Sequence, residues 1–237
     1  MDIDKEIIEN TLKDFSVYLY DTTDSTNIRA REIAKENQGN IIVCANEQTD
    51  GRGRHGKSFF SPKDTGLYFS AVIHQEQAGT AITCKTAVAL CRAIELVTDL
   101  KPQIKWVNDI YIYEKKVAGI LVQAIENGRY VIGIGINILT ENFPDEIEAS
   151  ASSLGVNVDK NILICETVKN ILDLKKEDFV EEYRKKSFLI GKEIEYCQNN
   201  IMHNALVIDV DKNCGLVVNE NQSIKVLTSG EISIKRR

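Results

Sequence analysis

Proline is scarce, with three in 237 residues, and the chain holds one Trp and two Met. Positive charge is not in excess: 29 Lys and Arg stand against 35 Asp and Glu, a net charge of −6. A general nucleic-acid binder needs a basic field, so the balance argues against that class. No run of about 18 apolar residues is present, so no membrane span is expected. The first ten residues are charged and lack the apolar centre of a secretory signal. None of the six Cys forms a CxxC pair, which removes the zinc and thioredoxin spacings. They sit at 44, 84, 91, 165, 197 and 214 and read as buried thiols of a reducing, cytoplasmic compartment. Repeats and low-complexity linkers are absent too. What is there is 43% hydrophobic and 27% charged residues, which excludes a disordered chain, a collagen and a coiled coil. The length suffices to bury a core without staples.

Hydrophobic spacing predicts a helix over Ile3–Leu12, a strand over Val17–Tyr20, and a helix opened by Asp24-Ser25 and stopped at Gly39. Strands are expected at Ile41–Glu47 and Leu67–His74, separated by a polar loop from Gln48 to Thr65. Thr80–Leu100 carries apolar residues at helical spacing and ends before Pro102. Ile104–Tyr113 reads as one strand. Val117–Ile125 and Tyr130–Leu139 flank Asn127-Gly128, a hairpin signal. Helices are expected at Ile162–Leu172 and Glu177–Phe188. After Gly191 come short β-rich runs at Glu193–Tyr196, Ala205–Val210, Gly215–Asn219, Ser223–Leu227 and Glu231–Ile234, which suggest a small barrel. The expected division is residues 1–188 and 189–237.

The loop Gly51-Arg52-Gly53-Arg54-His55-Gly56-Lys57-Ser58 combines close backbone approach with guanidinium forks suited to carboxylate or phosphate. A flexible solvated loop is the alternative, although such linkers are normally Gly/Ser rather than Gly/Arg. The same stretch formally matches G-x-x-x-x-G-K-[ST], a phosphate-binding P-loop. That motif requires a helix starting at Lys57-Ser58, and Pro62, Asp64 and Gly66 do not sustain one. Asp24-Ser25-Thr26-Asn27 would serve as a plain helix cap or as a cluster of ligand-binding groups. Lys105-Trp106-Val107-Asn108-Asp109 reads as a strand end with an Asn-Asp turn. Lys116 is either a snorkelling edge residue or a fixed cation for an anionic group. Along Val131–Ile138, alternation puts Gly133, Gly135 and Asn137 on one face, with room for a helix or a ligand. His55 reads as an exposed loop residue.

Taken in order, these segments resemble the biotin protein ligases, which join biotin to a lysine of a biotin carboxyl carrier domain. Asp24-Ser25-Thr26-Asn27 is similar to the family's DSTN segment, and Glu47-Gln48 followed by Gly51–Gly56 to its GRGRxG loop. Lys105–Asp109 is similar to KWPNDI and Lys116–Val122 to K-hydrophobic-A-G-I-L. Gly133–Asn137, Ser152-Ser153-Leu154 and Gly230-Glu231-Ile232-Ser233 resemble the GIGxN, SL and C-terminal segments. Val107 departs from the usual Pro, and Phe59 and Phe60 from a Trp near the adenine. The 23 residues before Asp24 are too few for the winged helix with which many bacterial members repress genes, so the resemblance implies a ligase without DNA binding.

The resemblance also implies an α+β fold: a mixed β-sheet with helices on one side, followed by a small SH3-like β-barrel. Biotin and ATP are the implied substrates. Mg²⁺ is expected with ATP, held mainly by phosphates rather than by a protein metal site. Lys116 is the implied cation between carboxylate and α-phosphate, with Arg54 and Asp109 as further catalytic residues. Ser25, Thr26, Asn27, Gln48, Arg52, Gly53, Arg54, Lys116 and Gly119 would line the biotin site. Arg52, Arg54, Phe59, Asn108, Lys116 and Asn137 would meet ATP or the adenylate. The implied partner is a biotin carboxyl carrier protein, with no DNA and no membrane, and the ligase is a monomer or homodimer. Three rivals stand beside this reading: a P-loop ATPase, a non-catalytic biotin sensor, and lipoate-ligase-like acyl transfer on the same fold.

Overall fold

Two sheets organise the chain in the computed structural model, which describes residues 2–76, 79–198, 201–230 and 232–234. The first sheet has seven strands: β1 (Phe15–Thr23), β2 (Asn40–Gln48), β3 (Gly66–His74), β4 (Gln103–Lys105), β5 (Asp109–Ile112), β6 (Lys115–Ala124) and β7 (Arg129–Asn137). Their spatial order is β1-β2-β3-β7-β6-β5-β4. β1 and β2 run parallel, joined by helix α2 (Thr26–Glu36), and the other neighbours are antiparallel, so the sheet is mixed. The hairpin turn falls where Asn-Gly predicts it, with Asn127 at φ 61° and Gly128 at φ 68°.

Alternation along each strand decides which face a residue serves. Ile42, Cys44, Phe69, Ala71, Ile132, Ile134, Ala118 and Ile120 join the main core. That core is shared with α1 (Lys5–Thr11), α3 (Thr80–Val97), α5 (Lys160–Asp173) and α6 (Lys176–Lys186). Asp4 and Asp159 cap α1 and α5, each accepting two backbone N–H groups of the first turn. A four-residue helix, α4 (Asp145–Glu148), lies in the loop after β7. The expectation of helices on one side holds for the main core, with α2 as the exception. Ala30 and Ala34 of α2 pack on Ile41, Val43, Val72 and Val131, the alternate residues of the same strands. Helix α2 lies mainly over β2, β3 and β7 on that second face.

The expected strand Ile104–Tyr113 is broken. β4 ends at Lys105, the chain reverses through Trp106–Asn108, and β5 returns antiparallel with Asp109 opposite Lys105. The residues at the break bond to other elements: the Trp106 indole donates to Cys214 O at 2.8 Å and the Asn108 amide to Ile120 O at 2.9 Å. The Trp106–Val107 peptide is cis.

The second sheet comprises β8 (Glu193–Gln198), β9 (Ile201–Val210), β10 (Leu216–Glu220), β11 (Ser223–Leu227) and β12 (Ile232–Ile234), in the order β11-β10-β9-β8-β12. Among the described residues its two edge strands do not pair with each other. It is an open antiparallel sheet consistent with an SH3-like domain, not the closed barrel expected. Glu231, placed by the sequence in the last strand, lies outside the described residues. Five of the six Cys are buried as expected, whereas Cys197 is exposed on β8. Among the described residues no helix is long and apolar enough to cross a membrane.

Candidate active site

The face that α2 leaves uncovered is a cleft of about 300 Å³, at the lower end of small-ligand sites. Its floor is made by strands β6 and β7, where Gly119 and Gly135 are directly paired. A Cβ on Gly135 would stand 2.4 Å from the Phe59 ring, and one on Gly133 1.9 Å from Asn27 Oδ1. The two glycines of β7 therefore let the loop and the start of α2 close down on the sheet.

One end of the cleft is neutral and densely hydrogen-bonded. Gln48 Oε1 accepts from Thr26 N at 2.9 Å and Thr26 Oγ1 at 3.1 Å, so the glutamine supplies the cap of α2. Ser25, which the sequence offered either as a cap or as a ligand group, makes no capping bond, and its buried side chain lines the cleft. Asp24 turns the chain instead, accepting from Ser25 N and from Arg29. The Arg29 guanidinium holds the Asp24 carboxyl well below the usual carboxylate range. Gln48 Nε2 donates to Ser61 Oγ at 2.9 Å. Ser70 Oγ lies 2.6 Å from Asn27 Oδ1 and 2.8 Å from Thr26 Oγ1. Asn27 Nδ2 donates to Gln123 Oε1 at 3.2 Å.

The other end is cationic. Arg52, Arg54, Lys57, Lys105 and Lys116 line the cleft, and Asp109 is the one carboxylate among the described lining residues. Lys116 Nζ pairs with Asp109 Oδ1 at 2.7 Å and stands 6.0 Å from the Phe59 ring centre. The Lys116 backbone is clamped on both sides: its N–H donates to Ser150 O at 2.9 Å, and its carbonyl accepts from Ser152 N at 2.8 Å. Arg54 Nη1 donates to Asn108 Oδ1 at 3.2 Å, while Arg52 turns outward to Asp50 at 3.0 Å. The Arg-Gly loop folds on itself through Gly53 N to Lys57 O and Phe59 N to Gly51 O. No helix follows Lys57; the chain stays extended through Ser58 and reaches β3 without one, so the P-loop geometry is missing.

Every site residue expected from the sequence lines this cleft except Asn137. Asn137 is buried beside it, its Nδ2 donating to Ser152 O at 3.0 Å. Its Oδ1 is a buried acceptor with no partner among the described residues. His55 is exposed, as expected. Sequence reasoning missed Ser70 and Gln123, which order Asn27, and it singled out the segment of Gly230 and Ile232 without placing it at the cleft wall, where these residues bring the second sheet. A single Ser inside the apolar run of β3 was the available signal for Ser70. Among the described residues no cluster of three metal-ligating side chains occurs.

A family model described as the biotin/lipoate A/B protein ligase family matches residues 19–138. The bifunctional ligase/repressor BirA of Bacillus spizizenii is 36% identical over 165 residues, covering 61% of this chain and 50% of that protein. The protein of the same name in Escherichia coli is 25% identical over 238 residues, covering 93% of this chain and 74% of that protein. The structure of the biotin protein ligase from Aquifex aeolicus in complex with biotin and ATP superimposes with a TM-score of 0.80 at 26% identity, over 94% of this chain and 99% of that one. The chain spans about half the length of the Bacillus relative.

Proposed function

The chain belongs to the biotin/lipoate A/B protein ligase family, and on that premise we propose that it joins biotin to a lysine of a biotin carboxyl carrier domain through biotinyl-5′-AMP. The observation that carries the reading is the two-ended cleft. Five Lys and Arg residues and a single carboxylate line one end, in a chain of net charge −6, with Arg52 held outward by Asp50, and a neutral hydrogen-bonding network lines the other. A cyclic urea with a carboxylate tail fits the neutral end, and a nucleotide triphosphate the cationic end.

A carboxylate is a poor acyl donor, so the biotin carboxylate oxygen attacks the α-phosphorus of ATP. The α–β bond breaks and pyrophosphate leaves. The carrier lysine then attacks the acyl carbon of the adenylate, and AMP leaves. Two anions must approach in the first step, and fixed positive charge offsets their repulsion. Lys116 is the cation for that task, with Asp109 orienting it. Arg54 and Arg52 hold carboxylate and phosphate oxygens from the Arg-Gly loop, with the Gly53 backbone in close approach. Ser25, Thr26, Asn27 and Gln48 address the ureido ring. Gly119 leaves space above the floor, Phe59 borders the nucleotide, and Asn108 steadies Arg54. The unpartnered Asn137 Oδ1, buried beside the cleft, supports a role toward the adenine or ribose of the nucleotide. Mg²⁺ would arrive with ATP on its phosphate oxygens, since Asp109 is already paired with Lys116. This chemistry falls to residues 1–188, with Gly230 and Ile232 of the segment that follows adding to the cleft wall, in a cytoplasmic ligase.

Pyrophosphate exchange tests the reading directly. Labelled pyrophosphate is expected to enter ATP only when biotin is present, with no carrier protein needed. Lipoate in place of biotin is expected to support no exchange. Biotin-independent release of ADP and phosphate, lost in Lys57→Ala, would overturn the assignment in favour of an ATPase.

A further inference from the structure

Arg129 opens strand β7, at the far end of α2 from the cleft. It is buried, with 7% of its surface exposed, and among the described residues no carboxylate pairs with it. Its guanidinium donates instead to three backbone carbonyls, one in the last turn of α2, one at its C-cap and one in the connection to β2. Nη1 reaches Ala34 O at 3.1 Å, and Nη2 reaches Asn37 O at 3.0 Å and Gly39 O at 2.8 Å. A helix leaves its last carbonyls without intrahelical partners, and one rigid fork joins the Ala34 and Asn37 carbonyls of the helix end to Gly39 of the chain that leaves it. The same charge faces the negative pole of the helix.

The apolar grip on α2 is thin. Its buried apolar residues are Ala30 and Ala34, whose side chains bury little area, and Ile33 packs half-buried against the same cluster. Two polar fastenings add to that grip at the two ends of the helix: Arg129 at its end, and Gln48 with Ser70 at its start. Eleven residues at 1.5 Å each form a stiff rod of roughly 16 Å between them. We propose that Arg129 is a positioning residue for the neutral end of the cleft. It holds α2 at the axial position that puts Ser25, Thr26 and Asn27 where the ureido ring is bound. It touches neither substrate and acts only through the helix. The inference rests on the reading of the site as a biotin ligase.

The test is pyrophosphate exchange with Arg129→Gln and Arg129→Lys, with thermal unfolding of both variants measured in parallel. A shifted helix start weakens binding of one substrate without touching the phosphate chemistry. Arg129→Gln is therefore expected to raise the KM for biotin about tenfold, with kcat and the KM for ATP within about twofold of wild type. Arg129→Lys, which keeps the charge but loses the fork, is expected to fall between. In the background of Asn27→Ala the Arg129→Gln effect is expected to shrink, because both act on the same helix start. Equal changes in both KM values, or no change in either, would overturn the proposal. Should Arg129→Gln not fold, Arg129→Lys decides by the same split. Wild-type protein without biotin-dependent exchange would overturn the ligase reading itself, an outcome separate from the variants.

Discussion

Lys116 and Asp109 pair at 2.7 Å with 32% and 22% of their side chains exposed. At that exposure an ion pair contributes little to folding, so its value lies in the charge it presents to the cleft. Lys116→Ala is expected to lower the single-turnover rate of biotinyl-AMP formation by about 10²–10³-fold. Its melting temperature should stay close to wild type, and a variant that keeps the rate would remove Lys116 from the chemistry. Ser25 permits a sharper distinction. A capping serine replaced by Ala costs about 1 kcal/mol of stability, but here Gln48 provides the cap. Ser25→Ala is therefore expected to leave the melting temperature unchanged and to raise the KM for biotin by roughly 3–10-fold, the worth of one hydrogen bond. Loss of stability with an unaltered KM would return Ser25 to the role of a cap. At this scale the sequence was legible wherever a polar residue broke a local pattern and a family motif surrounded it, as with Lys116 and Gln48. Ser70 and Gln123 escaped because each is one polar residue in an apolar strand, and the partner that explains it is distant in sequence.

Strands and helices were legible where a single period ran through them, as in β3, α3 and the β6–β7 hairpin. The break between β4 and β5 was not. Its cause is the pull of Trp106 toward Cys214 and of Asn108 toward Ile120, contacts that leave no trace in local spacing. The side of the sheet that α2 takes was also hidden, since β2 buries both faces and shows no alternation. The second sheet carries its own electrostatic knot on β8–β11. Glu220 accepts from Tyr196 at 2.8 Å and pairs with His203 at 2.7 Å and with Lys225. Those partners, Lys225 foremost, bring its carboxyl from the ordinary 4.5 down to about 2. A carboxyl whose value is lowered by folding adds stability that is complete above its unfolded value and lost on acidification. The melting temperature gap between wild type and Glu220→Gln is thus expected to be full at pH 5 and to close as pH falls from 4.5 toward 2. A gap that persists at pH 2 would show that the glutamate acts by packing alone.

The molecule as a whole is joined more tightly than a boundary near residue 188 suggests. One apolar cluster runs from β3, α3 and α6 into Ile194, Val207 and Leu216 of the second sheet. Trp106 bonds to Cys214 O, Arg184 Nε to Val210 O, and Thr80 Oγ1 to Thr228 O across the same junction. A single heat-absorption peak is expected in calorimetry, with equal calorimetric and van't Hoff enthalpies. Two resolved peaks would mean that the sheets unfold independently. Where the sheets meet stands Trp106, the chain's only tryptophan, 4% exposed and part of the cleft wall. All indole emission of this protein therefore originates from one spot that touches the ligand chamber on one side and the second sheet on the other. Excitation at the red edge of protein absorbance reads a lone chromophore, so ligand titrations and rapid-mixing traces need no dye and no spectral deconvolution.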